Sequence, residues 1–392
     1  MAASELSRKS DTSIFNSLAF RGVVYQVLLG AGVILLGWYL YYNTNANLER
    51  QGIATGFDFL HEAAGFSIGE SLIPFDSAQS YGRALFVGIL NTLYVAAFGI
   101  VLATVLGVFI GIARVSTNWL IAKLASAYVE ACRNVPVVLH VIFWASVIRA
   151  LPPPREALSP FTGFFITNRG VIYPVPAENP VYPWVVAALV VGIVLAILIA
   201  RWASRRRERT GQYFPTFWPG LGVILGLPFV VWLLGGAPLA WSVPALRGFN
   251  FQGGASVTPE FVGLLAGITV YTGAFIAEIV RSGIQSVPHG QVEAARAVGL
   301  RPGLVMRLVI LPQALRVIVP PTTGQYLSLT KNSSVGVLIG YPDLVNVGNT
   351  TLNQTGQAIE AISIMMAVYL TISLTISLFM NVYNRLVSIR ER

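Results

Sequence analysis

Eight stretches of this chain stay apolar for about twenty residues or more, the length an α-helix needs to cross the hydrocarbon of a bilayer. They fall at roughly 22–42, 84–113, 124–149, 181–201, 216–236, 259–281, 313–340 and 360–386. A chain of 392 residues could hold two or three soluble domains. Here 55% of residues are hydrophobic, only 11% are charged and mean hydropathy is +0.67, with the apolar residues in runs, so the solvent is lipid. The expected fold is an all-α integral membrane protein with about eight transmembrane helices. The second and third runs are long enough to tilt or to extend past the bilayer. The seventh is interrupted by Lys331 and Asn332. In the second, Gly99, Ala103, Gly107 and Gly111 recur at helical spacing, which lets a neighbouring helix approach closely.

Eight crossings put both termini on one side, and the cations say which side it is. That side collects Arg8, Lys9 and Arg21; Arg114 and Lys123; Arg201, Arg205, Arg206, Arg207 and Arg209; Arg281, Arg296, Arg301, Arg307 and Arg316; and Arg385, Arg390 and Arg392. These are 18 of the 26 basic residues, which makes the side cytoplasmic. The opposite loop around 43–82 carries Asp58, Glu62, Glu70 and Asp76. The first run closes on the aromatics Trp38–Tyr42 rather than on a small-residue cleavage site, as a retained anchor would. The two long outer loops, 43–82 and 150–180, are rich in Gly and aromatic residues, so they are expected to lie against the outer mouth.

Other classes fall away. The net charge of +9 does not spread over a polar face that could meet nucleic acid, because the basic residues cluster at the ends of apolar runs. The densest cluster, RWASRRRER at 201–209, reads as a topological anchor before it reads as a lipid or nucleic-acid patch. One cysteine, Cys132, excludes an internal disulfide, and three scattered histidines at 61, 140 and 289 argue against a metal centre. No nucleophile–base constellation of an enzyme is present.

The inner loop between the sixth and seventh spans has its own grammar. Gln291–Val298 are good helix formers, kept slim by Ala294, Ala295 and Ala297. Gly299 stands where a helix ends in a left-handed residue, and Pro302 suits the first turn of a second helix. Leu304, Val305, Leu308 and Val309 would line one face of that helix, and Pro312 would break it before the next span. The spacing predicts two short helices meeting at Gly299 along the cytoplasmic face. By physics alone, an amphipathic helix resting on headgroups stays open as the other reading.

The pattern Glu293-Ala294-Ala295, three residues, Gly299, nine residues, then Val309, Leu311 and Pro312 resembles the EAA loop of ABC importer permeases, which more often have Ile where Val309 stands. The likeness extends through YTGAFIAEIVRSGIQSVPHGQVEAARAVGL and LVILPQALRVIVPPTTGQYLSLTKNSS, and through VGILNTLYVAAFGIVLATVLGVFIGIAR and YVEACRNVPVV. These are similar to the polar amino-acid permease branch and cover about 84–149 and 259–386. The first span and the inserted fourth and fifth spans resemble the narrower Q-type permeases of general L-amino-acid transport systems of Gram-negative bacteria.

The resemblance implies a five-helix type I importer core in residues 84–386, with a loop and two helices inserted at about 150–258 and a coupling loop at 286–312. Residues 1–21 and 387–392 would be cytoplasmic, and 22–83 the first helix and its periplasmic loop. It implies a bacterial inner-membrane importer of L-amino acids whose partners are a related permease, two copies of a cytoplasmic ATPase and a periplasmic amino-acid-binding protein.

 The permease pair would be a heterodimer of related subunits. Gln291, Glu293, Ala294, Ala295, Gly299, Leu311 and Pro312 would seat in the ATPase, which uses ATP and Mg, while this chain would bind no cofactor. The residues agree with that division. A chain that burned ATP itself would need G-x-x-x-x-G-K-[ST], and Lys9, Lys123 and Lys331 all lack a preceding glycine. Glu293 has a competing local role, a salt bridge to Arg296 or a helix cap.

Ionisable groups inside spans cost about 3 kcal/mol each on insertion scales, so they usually serve a cavity or a pair. Glu130 and Arg133 are three apart and could pair with each other, and Asn134 and Pro136 follow, the proline freeing a backbone carbonyl. Glu278 and Arg281 repeat the spacing at a cytoplasmic helix end, where a structural pair is expected. His140 is expected to bond between helices. A zwitterionic amino acid needs donors for its carboxylate and acceptors for its ammonium, and Thr330, Lys331, Asn332, Ser333 and Ser334 offer both in one stretch. Lys331 could instead snorkel, or pair with Glu130 to hold the bundle. The alternative function is an ion-coupled secondary amino-acid transporter that uses Glu130 and Glu278 as its relay.

Overall fold

The computed structural model of the protein describes residues 18–52 and 55–387. The expected cytoplasmic segment before residue 18 and the tail after 387 lie outside the described residues. Helices dominate: α1 Leu18–Gln51, α2 Tyr81–Arg114, α3 Trp119–Asn134, α4 Val137–Arg149, α5 Tyr182–Thr210, α6 Phe217–Leu234, α7 Pro259–Gln285, α8 His289–Ala297, α9 Pro302–Val305, α10 Leu311–Asn332, α11 Leu344–Thr355 and α12 Ala358–Val387. Among the described residues, seven helical segments are long and apolar enough to cross a membrane, and eight if α3 and α4 form one bent span. The expectation of about eight crossings is met when the bent pair is taken as one span.

The core forms where small residues let helices touch. Gly99, Ala103, Gly107 and Gly111 are all buried on α2, and α7 lies against them. A Cβ on Gly107 would sit 2.6 Å from Ile276, and one on Gly111 2.6 Å from Val280. The expected small-residue stripe is therefore the seam of the bundle. α4 meets the other side of α7 at Gly263 and Gly267, which face Ala145 and Val141. Leu264, Ile268, Ile276, Leu329 and Tyr341 fill the space between these helices.

The third span is not one helix. Its halves, α3 and α4, are bent by 107°. Pro136 has no N–H to donate and drives the preceding Val135 to φ −103°, ψ 131°, outside the helical region. The Cys132 carbonyl that loses its partner accepts a hydrogen bond from His140 Nε2 at 3.1 Å. The freed carbonyl is thus satisfied within the protein, and His140 links the two halves as an inter-helix bond.

A second correction concerns Pro312, which does not end the inner helix before the next span. α9 continues through a π-turn at Met306–Ile310 straight into α10. The wider turn lets the Leu311 N–H reach the Met306 carbonyl, five residues back, so the missing proline donor is absorbed without a break. At its far end the helix stops at Asn332, earlier than expected, and a 3₁₀ stretch Ser333–Ile339 follows.

The outer side holds structure that hydropathy does not report. The 43–82 loop packs as expected: Phe59 and Ala64 are buried beside Tyr81, Leu344 and Met365. The 150–180 loop pairs with residues near 250 through short strands: β1 Leu158–Phe161, β2 Phe164–Thr167, β3 Gly170–Tyr173, β4 Val175–Pro176, β5 Trp241–Ser242, β6 Ala245–Arg247, β7 Asn250–Gln252 and β8 Ala255–Val257. The sheet β1-β2-β3-β8 is antiparallel, and Val171 pairs with Val257. It joins the two ends of the insertion, from which α5 and α6 project as a hairpin packed mainly on itself.

Candidate functional site

The inner loop forms the elbow that its sequence predicts. α8 ends at Ala297, and Gly299 takes φ +84°. The Gly299 N–H donates to the Arg296 carbonyl at 2.9 Å, and the Leu300 N–H to the Ala295 carbonyl at 3.2 Å, which closes the helix end in a Schellman motif. Arg301 then turns the chain with ψ 151°, and Pro302 starts α9. Ala295 and Val305 are buried and pin the elbow to the protein.

What the elbow presents outward is a slim, mixed surface. Gln291, Glu293, Ala294 and Ala297 are exposed, and Val298 is 77% exposed at the tip. Glu293 makes no ion pair among the described residues, so the local bridge to Arg296 is not formed. Val298 escaped sequence reasoning, although an apolar residue just before a helix-ending glycine was a usable signal. A cleft of about 720 Å³ lies behind Glu293, lined by Arg114, Gln285, His289 and Arg296. Leu311 and Pro312 are exposed at the foot of α10. The loop therefore offers a carboxylate and an apolar tip on a hydrogen-bonded turn, both exposed among the described residues.

Behind the elbow, Glu278 on α7 is an ion-pair hub. It accepts from Arg114 of α2 and, at 2.5 Å, from Arg281 Nη2, and Arg133 of α3 stands 3.9 Å away. The expected Glu278–Arg281 pair is present. Arg133, however, turns to Glu278 and to the ring of Phe275, 5.1 Å from its centroid, rather than to Glu130. The cause is the bend at Pro136, which lays α3 across α7. Glu130 and Asn134 remain exposed. The relay required by an ion-coupled transporter is not assembled: both Glu278 oxygens hold guanidinium groups, and Glu130 stands apart among the described residues.

The polar stretch at the end of α10 divides in two. Thr330 and Ser333 are buried, and their hydroxyls donate to the carbonyls of Tyr326 at 2.9 Å and Thr330 at 2.7 Å. Lys331 is exposed, Asn332 half-buried, and the Ser334 hydroxyl donates to the Lys331 carbonyl. Lys331 makes no ion pair with Glu130 among the described residues. A separate cavity of about 320 Å³ opens between α2, α7, α10 and α12, where Thr104 and Tyr326 share a hydroxyl bond of 2.9 Å. The residues expected along the path do not line it.

At the outer end, Arg149 of α4 donates to the Ile339 carbonyl at 2.8 Å and to Glu260 of α7 at 3.2 Å, tying three elements together. Asp343, fully buried, caps α11 by accepting from the Asn346 N–H at 2.8 Å. Burial pushes its carboxyl up to about 7.

Comparison with known proteins places this architecture. Over 376 residues the chain is 50% identical to the general L-amino acid transport system permease protein AapQ of Rhizobium johnstonii, covering 95% of this chain and 94% of the relative. It is 49% identical to the putative amino-acid ABC transporter permease protein YhdX of Escherichia coli, over 97% of this chain and 99% of that one. The glutamate/glutamine/aspartate/asparagine transport system permease protein BztB of Rhodobacter capsulatus is 40% identical over 96% of this chain and 95% of its own. Residues 188–392 match the family model for the binding-protein-dependent transport system inner membrane component. With seven to eight candidate crossings among the described residues, an exposed inner elbow and relatives alike over nearly its whole length, the chain belongs to the family of binding-protein-dependent transport system inner membrane components, as a multi-pass permease subunit.

Proposed function

We propose that this chain is the membrane-spanning permease subunit of an ATP-driven importer of L-amino acids in the bacterial inner membrane. The observation that carries the reading is the elbow at Gly299, which holds Glu293 and Val298 exposed on the arginine-rich side, Glu293 without an ion pair among the described residues. A cytoplasmic ATPase, present in two copies and using ATP and Mg, grips this surface and supplies the work. Gln291, Ala294 and Ala295 set its width, and Leu311 and Pro312 carry motion into α10. Residues 84–149 and 259–386 form the permease core, with 150–258 an insertion into it. A related permease completes a heterodimer, and a periplasmic binding protein delivers the amino acid to the outer side. Along the path, Lys331 and Asn332 offer donors to the substrate carboxylate, with Glu130, Arg133 and Asn134 on the bent third span and the hydroxyls of Thr330, Ser333 and Ser334 beside them. The test is affinity purification in mild detergent combined with uptake in cells whose proton gradient is collapsed while ATP is maintained. An ATPase and a second permease should copurify and uptake should persist. Uphill transport by the purified chain without an ATPase would refute the reading.

A further inference from the structure

We infer that the cytoplasmic end of the α5–α6 hairpin is a binding site for anionic phospholipid. The hairpin is set apart from the permease core, and only 6% of the most apolar window of each helix is buried in the protein. Its flanks therefore lie in hydrocarbon, and its tip must sit at the level of the headgroups. Five arginines crowd that tip within nine residues, against one acid, Glu208. Arg201, Arg205 and Arg209 follow at intervals of four and so share one face of the helix. Like charges at this spacing destabilise a helix. Among the described residues none of the five meets a carboxylate within ion-pair distance.

A positive end for topology needs no such row, because one or two cations at a loop set orientation. Three stacked guanidinium groups match phosphodiesters, whose oxygens accept two N–H bonds at once. The aromatic neighbours fix the depth. Trp202 and Phe214 pack edge to face at 5.4 Å, and Arg206 lies 5.4 Å from the Trp202 ring. Across the turn, Phe217 and Trp218 are 67% and 72% exposed, as rings at a membrane–water interface are. Apolar flanks, an aromatic belt and an unneutralised arginine row thus meet at one level, and together they select a headgroup with net negative charge that is anchored to acyl chains.

The experiment uses the full chain in mild detergent, with phosphatidylglycerol, phosphatidylcholine and inorganic phosphate as probes. Native mass spectrometry counts the bound lipids and a melting curve records their effect. The wild-type protein should retain phosphatidylglycerol over phosphatidylcholine and melt at a higher temperature with it. The triple variant Arg201→Gln, Arg205→Gln, Arg209→Gln should lose that preference by about tenfold or more, from the contribution of each cation near an anionic surface. Lys123→Gln, which removes an exposed cation elsewhere, should leave it intact. Equal retention of the two lipids by the wild-type protein, or unchanged preference in the triple variant, would overturn the proposal. So would equal stabilisation by inorganic phosphate, which would make the tip an anion site with no tie to the membrane. Should the triple variant fail to assemble, the wild-type comparison alone decides.

Discussion

Gly299 permits a graded test of the elbow. Its φ of +84° is a conformation that L side chains rarely adopt, yet a Cβ built there meets nothing within 4 Å. Substitution therefore adds backbone strain and no collision, which separates the shape of the loop from its packing. Alanine should cost about 1–2 kcal/mol in this left-handed position. That is about a 5- to 30-fold fall in the population holding the bend, if a relaxed form of the exposed loop competes with it. Asparagine, which tolerates the region through local hydrogen bonding, should cost less, and the β-branched valine more. Affinity for the ATPase falls by the fraction of protein that remains competent to bind. The assay is titration of purified ATPase onto the permease in nanodiscs, with membrane abundance measured in parallel. Affinity should fall in the order Gly, Asn, Ala, Val while abundance stays constant. Equal affinity across the series would show that the bend is not what the ATPase reads. A fall in abundance matching the fall in affinity would show that the strain acts on folding.

Glu293→Lys should remove ATPase copurification without lowering abundance, because Glu293 is exposed and holds no ion pair among the described residues; normal copurification would remove Glu293 from the docking surface. Glu278→Gln keeps the shape but strips the charge between Arg114 and Arg281, so detergent-solubilised protein should lose about 2 kcal/mol, whereas Glu130→Gln should leave the melting temperature unchanged. Asp343→Asn keeps the cap on α11 and removes a carboxyl that burial raises from 3.8 to about 7. The folded protein holds that proton more tightly than the unfolded chain, so its contribution to stability is full below about pH 4 and is lost as pH rises toward 7. The melting temperature of Asp343→Asn relative to wild type should therefore climb from pH 4.5 to pH 8, and a constant difference would contradict the burial argument.

What the sequence disclosed, and what it hid, follows from the range of the interactions. Apolar runs report a transfer free energy summed over neighbours in the chain, so the crossings were legible. Gly299 was legible for a similar reason, since a positive φ is a requirement of one residue. Pro136 was read as freeing a carbonyl, but a proline alone does not give the size of a bend, here 107° with both halves packed against α7. Nothing local to Glu278 reveals Arg114, which is 164 residues away. The strands of the insertion are two to four residues long, too short for a period to show, and β3, besides the adjacent β2, has its second partner β8 across the α5–α6 hairpin. Asp343 could have been read as an N-cap ahead of Leu344–Thr355, but that helix lacks the length that marks a span. The TKNSS stretch reads as one polar cluster because it is contiguous, whereas the helix sends Thr330 and Ser333 inward and leaves Lys331 exposed.

The π-turn at Met306–Ile310 has a mechanical consequence. By widening one turn instead of breaking, it joins α9 to α10, so that Pro302–Asn332 run on without interruption into the 3₁₀ stretch Ser333–Ile339. At about 1.5 Å per α-helical residue and about 2 Å per 3₁₀ residue, the 38-residue segment is roughly 60 Å long, with one end in the elbow and the other against Arg149. The continuous turn leaves no break at the foot of α10 to absorb a movement of the elbow: a tilt of about 5° imposed at the inner end and carried rigidly would shift the outer end by about 5 Å.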